Sequence, residues 1–216
     1  MSETRLREMI CTFARSLYDR GLAHGSTGNI SARTDDGGLL VTPTGSSFGW
    51  LDPARLSRFD SKGAHIDGDR PTKEMPLHTA FYDTRGNRSG AVVHLHCHHA
   101  VALSMLPETD HDNALPPYTP YSIMQLGRVK ILPYFQPGDP AMGEAVRNLE
   151  GQRSAVILAN HGPVVTTATL ESAVYAMEEL EETARLAITL SGRNANTLSA
   201  VQVQRLIEVF NIDYQP

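Results

Sequence analysis

The strongest constraint on the fold is a set of short apolar runs set between stretches of helical periodicity. AVVHLH (91–96), GRVKILPY (127–134) and SAVILAN (154–160) read as strands. In residues 4–20, Leu6, Met9, Ile10, Phe13 and Leu17 recur at helical spacing, with Gly21 placed to stop the helix. Residues 76–85, HAVALSML and a segment near 139–149 also read as helices. TLESAVYAMEELEETARLAITL is long and amphipathic and ends at Gly192, and Ser199 with Gln202 forms a capping-box pattern before a last helix. Between the first helix and residue 75 the pattern predicts strands near 29–34 and 39–43 about a DDGG turn, a short helix capped by Asp52-Pro53, and a hairpin in RFDSKGAHIDGDRP. Strands alternating with helices give an α/β chain. Two hairpins favour a sheet with antiparallel pairs and helices on both faces.

The 216 residues suit one domain, 1–216. A formal net charge of -5 and a pI of about 6.0 disfavour a nucleic-acid or anionic-membrane binder. Two cysteines without a CxxC context, a charged N-terminal stretch and no long apolar run lead us to expect a reduced, cytoplasmic protein.

Four of the nine histidines fall in AVVHLHCHH (91–99). On a strand, His94 and His96 project from one face and Val93 and Leu95 from the other. Two adjacent imidazoles repel if both are protonated, and a divalent cation favours both being neutral. Solvated histidines at a strand end are the alternative. His161, in Asn160-His161-Gly162 at the end of an apolar strand, is a candidate third ligand that would leave positions open for a substrate. Cys97 should face away, and His98 and His99 should begin the next helix.

Two loops have the make-up of an anion cradle. GSTGNIS (25–31) offers Ser26, Thr27, Gly28 and Asn29, and TPTG (42–45) offers Thr44 and Gly45. Each alone is more often a turn. In PTKEMPLH (71–78), Glu74 enters a helix, where an acid normally complements the dipole. Beside a metal-bound carbonyl the same carboxyl could move protons, given a pKa raised by burial.

In this order, GSTGNIS, TPTG, Glu74, HxH and NHG resemble the class II aldolase/adducin family, typified by fuculose-phosphate aldolase. The resemblance implies a three-layer α/β/α fold with a central, mainly antiparallel sheet. It implies zinc on His94, His96 and His161, Glu74 as acid/base, and the two loops as phosphate sites. It also implies a homotetramer with sites at subunit interfaces, where Tyr121 could reach a neighbour's site. The sugar-phosphate aldolases tend to have two serines before the Glu; here Thr72 and Lys73 stand there. TKE, with LPPYTPYS and PYFQPGDP, is similar to the branch of 3-oxo-tetronate 4-phosphate decarboxylases. That branch implies loss of CO2 from a sugar-acid phosphate to give dihydroxyacetone phosphate through a metal-stabilised enediolate, with Lys73 contacting either the substrate carboxylate or its phosphate. A sugar-phosphate aldolase or epimerase is the nearest alternative, and a non-catalytic adducin-like interaction protein a remote one.

Overall fold

The computed structural model describes residues 1–212. Eight strands form one sheet: β1 (Asn29–Arg33), β2 (Leu39–Val41), β3 (Ser57–Phe59), β4 (His65–Asp67), β5 (Ala91–His94), β6 (Lys130–Leu132), β7 (Ala155–Leu158) and β8 (Gly162–Thr167). Their spatial order is β4-β3-β2-β1-β5-β8-β7-β6, and every neighbouring pair is antiparallel except β6–β7. The sheet is mainly antiparallel, as the resemblance implies.

The helices are α1 (Glu3–Asp19), α2 (Met75–Arg85), α3 (His98–Leu103), α4 (Pro120–Leu126), α5 (Ala141–Arg147), α6 (Leu170–Leu190) and α7 (Ala200–Phe210). Strand alternation divides the core between the two faces of the sheet. Ile30, Val93, Leu95 and Val165 pack with α1, α3 and α6, whereas Val92, Val156 and Val164 pack with α2 and α5. His94 shares the face of Val92 and so points to the α2 side, where Glu74 stands at the N-terminus of α2.

The structure departs from the sequence expectations in three places. β5 ends at His94, although the chain stays tied to β8 through the Leu95 N–H, which donates to the Pro163 carbonyl at 3.2 Å. Residues 162–167, unassigned from sequence, form the central strand β8. Pro163 is tolerated as its second residue, between β5 and β7, because the chain has only just entered the ladder. The helix α4, also unassigned, starts where Thr119 caps it and Pro120 occupies its first turn. The remaining predicted helices and strands form, with the strand at 127–134 cut to Lys130–Leu132 and most others within a few residues of the expected length.

Candidate active site

The end of the sheet where β1, β5 and β8 meet carries the three histidines. β5 delivers His94, the extended residues after it deliver His96, and the turn from β7 to β8 delivers His161. Asn160 makes that turn with φ +58°, a left-handed conformation that asparagine tolerates. Gly162 lets the turn approach β5, since a Cβ there would sit 2.1 Å from the Leu95 carbonyl oxygen. The ring centroids of the three histidines lie 4.7–5.0 Å apart. One potential ligand atom from each falls within 4.8 Å of the others. Cys97 points into the opposite core, and His99 bonds Glu181, so the rest of the histidine run takes no part.

The chemistry of this group fits a cation. His94 is fully buried and donates Nδ1–H to the Pro163 carbonyl at 2.9 Å, which leaves the lone pair on Nε2. That Nε2, and both ring nitrogens of His161, are buried without a hydrogen-bond partner. Burial pushes the pKa of His94 down and that of His96 down to about 3, so these two rings favour the neutral form that ligates. The Glu74 carboxylate lies 3.4 Å from His94 Nε2 and 3.3 Å from His161 Nε2, close but out of line for a hydrogen bond. Lone pairs and a carboxylate that converge in a buried site need positive charge between them.

Glu74 itself is 6% exposed. Burial alone would raise its pKa, but the positive charge that the His94–His161 group beside it gathers, as a proton or a metal ion, and an N–H from Asn29 at 2.7 Å outweigh that. They hold the carboxyl well below the usual range. This corrects the expectation of a raised pKa: the shift is downward, toward the ionised carboxylate.

A cleft of about 240 Å³ opens beside this cluster. Ser26, Thr27, Gly28, Asn29, Thr44, Gly45, Thr72, Lys73, Glu74, His96 and His161 all line it, so both glycine loops and the metal cluster share one cavity. Lys73 is exposed and makes no ion pair among the described residues. The Asn29 side chain is already committed to Glu74 and to His78, and its backbone pairs with His94 in the β1–β5 ladder. Gly28 has φ +83°, and a Cβ there would meet the His94 carbonyl oxygen at 2.9 Å. The Gly28 hydrogen that a side chain would replace thus faces β5 and not the cleft; this glycine lets the loop lie against the strand that carries His94. Tyr121 is 59% exposed on α4 and lies outside the cleft. A larger cavity of about 500 Å³ between Met1 and Leu170 contains none of the clustered histidines, and chemistry outweighs size in locating the site.

Sequence reasoning missed Pro137, which joins the cleft wall, and His78, Ser31 and Tyr82, which stand behind Asn29. The position of His78 was readable: it follows Glu74 by four residues, one helical turn.

The family described as Class II Aldolase and Adducin N-terminal domain matches residues 8–188. The chain belongs to the class II aldolase/adducin family. It is 45% identical over 205 residues to a 3-oxo-tetronate 4-phosphate decarboxylase of Escherichia coli O6:H1, covering 94% of this chain and 96% of the relative. An L-fuculose phosphate aldolase of the same organism is 32% identical over 191 residues, covering 88% and 85%. The crystal structure of YgbL from Escherichia coli superposes with a TM-score of 0.91 at 43% identity, covering 94% of this chain and 98% of that one. As a class II aldolase/adducin family member, the chain brings together around one cleft the glycine loops, Glu74 and the histidines on which the resemblance rests.

Proposed function

We propose that this family member is a metal-dependent carbon–carbon lyase, a 3-oxo-tetronate 4-phosphate decarboxylase that releases CO2 and dihydroxyacetone phosphate. The observation that carries the reading is the convergence of unpartnered His94 and His161 nitrogens on Glu74, in a cleft walled by two anion loops and headed by Lys73. The choice of decarboxylase draws on relatives of that name at 42–45% identity over most of the chain.

His94, His96 and His161 would hold one divalent metal, which we infer to be Zn2+ from the all-imidazole set. When bound, the metal supplies electrostatic stabilisation for the negative charge left by the departing carbon. The phosphate lies against the walls formed by Ser26, Thr27, Gly28, Asn29, Thr44, Gly45 and Thr72, with the Ser26, Thr44 and Thr72 hydroxyls and the loop-glycine N–H groups as its donors, because Thr27 is bonded to the His24 carbonyl and Asn29 is tied to Glu74, His78 and β5. Lys73 orients the substrate carboxylate so that the breaking C–C bond stands perpendicular to the carbonyl plane. A single ammonium on a flexible stem can do this without fixing the ground state as firmly as a bidentate arginine would. The bond breaks with its electron pair passing toward the carbonyl, CO2 leaves, and one proton must reach the carbon that bore it. Glu74 carries that proton. Because the carboxyl is ionised at rest, it takes the proton from solvent through the open cleft before handing it on.

We further infer one domain over residues 1–216 and a cytoplasmic homotetramer in which Tyr121 of one protomer reaches the cleft of another. The exposure of Tyr121 away from its own cleft supports this arrangement. No helix of the described residues is long and apolar enough to cross a membrane. Incubation with a panel of 3-oxo-tetronate phosphates and ketose 1-phosphates, scoring CO2 against aldehyde, tests the reaction. Aldehyde without CO2 would make it an aldolase.

A further inference from the structure

A line of buried hydrogen bonds runs from Glu74 into the core. Asn29 donates Nδ2–H to Glu74 at 2.7 Å, and its Oδ1 meets His78 Nε2 at 2.5 Å. His78 Nδ1 meets the Ser31 hydroxyl at 2.7 Å, and Ser31 meets the Tyr82 hydroxyl at 2.8 Å. All four supporting residues are buried, with His78 and Ser31 at 0% exposure. Asn29 and Ser31 lie on β1, and His78 and Tyr82 lie one turn apart on α2. A rigid strand and a rigid helix therefore hold the line in place.

The direction of the line follows from its far end. A buried tyrosine keeps its proton and must donate it, and Ser31 Oγ is the acceptor. Ser31, having accepted from Tyr82, donates to His78 Nδ1. His78 Nδ1 is then a lone pair, so its proton is on Nε2 and points at Asn29 Oδ1. The amide of Asn29 is left with one orientation, Nδ2–H toward the carboxylate. Reversing that amide would put oxygen against carboxylate and N–H against N–H among buried groups.

We propose that His78, with Ser31 and Tyr82 behind it, is a positioning residue: its Nε2–H form locks the Asn29 amide, and through it the Glu74 carboxylate, in the place from which the proton is delivered. This rests on the reading of Glu74 as proton carrier. It assigns three core residues to the working of the site, none of which touches the cleft.

The test combines a spectroscopic readout with paired variants of the zinc-loaded protein. Nitrogen-15 NMR of His78 should show a protonated Nε2 and a bare Nδ1; a proton on Nδ1 would overturn the proposal. Activity is read as deuterium wash-in from D2O to dihydroxyacetone phosphate, which needs the proton transfer whichever group departs. His78→Gln keeps a donor where Nε2 stands, and His78→Asn keeps only the Ser31 side. His78→Asn should lower the exchange kcat by about 10- to 100-fold, the usual cost of losing a group that orients a ligand or catalyst, with KM and metal content unchanged. His78→Gln should keep most of the turnover. Equal losses in both variants, tracking their melting temperatures, would mean a merely structural role. Should His78→Asn not fold, Ser31→Ala frees the His78 tautomer and should lower kcat at constant KM; full exchange with an altered tautomer would overturn the proposal. Glu74→Gln separates the two claims. Exchange lost there but intact in His78→Asn overturns only the positioning role, whereas exchange retained in Glu74→Gln overturns the proton carrier as well.

Discussion

His94, Glu74 and Gly28 show how much of the site depends on single atoms. His94 has one nitrogen tied to Pro163 and the other unpartnered, so it cannot be satisfied without a ligand. Replacing His94 with Ala should bring metal content, measured by inductively coupled plasma mass spectrometry, from one ion per chain to nearly none. Glu74→Gln should keep metal and phosphate binding while lowering kcat by about 100- to 10,000-fold, the range for loss of a general acid or base; steady-state kinetics beside titration with dihydroxyacetone phosphate would measure both. The two loop glycines should behave differently. Gly45, at φ +72°, has no atom within 4 Å of where a Cβ would stand, but valine is strained in that left-handed backbone, so Gly45→Val should shift the loop, raise KM and leave the metal in place. Gly28→Val pushes on the His94 carbonyl and should cost metal as well as substrate binding.

At the scale of elements, apolar runs and caps were legible because the physics behind them is local. Val92 and Val93 alternate faces as expected, Asp52 caps the short helical turn at Pro53–Arg55, and Ser199 with Gln202 closes the capping box of α7. The strand β8 was not legible, because Gly162-Pro163 reads locally as a break; only burial between β5 and β7 makes a strand of it. α4 was hidden among the prolines at 116, 117 and 120. The histidine ligands and the cleft loops could be read because their residue types and order are unusual. The Asn29–His78–Ser31 line could not, since it depends on the β1–α2 contact and on no motif. The depressed pKa of Glu74 likewise depends on neighbours that lie far off in sequence. The close approach of β8 to the residues after β5 yields a prediction at this scale. Gly162→Ala places a methyl 2.1 Å from the Leu95 oxygen and should cost about 1–3 kcal/mol of stability through overpacking. Denaturant melts would measure that loss, and displacement of His161 should weaken metal retention in parallel.

Across the whole molecule, two cores on opposite faces of the sheet leave the site at one end of the central strands, with Tyr121 exposed outside it. If Tyr121 works in a neighbour's cleft, Tyr121→Ala and Glu74→Gln should each be weakly active alone. They should regain activity when unfolded and refolded together, because mixed assemblies contain intact sites. No recovery from a mixture with confirmed hybrid assembly would remove Tyr121 from the site. The central claim is that these residues direct loss of CO2, and the most direct measurement follows 3-oxo-tetronate 4-phosphate in D2O with the zinc-loaded protein. The account predicts one CO2 for each dihydroxyacetone phosphate formed, with one solvent deuterium on the carbon that bore the carboxylate, and loss of both products on chelation. No CO2 from this substrate, alongside aldehyde release from a ketose 1-phosphate, would contradict it.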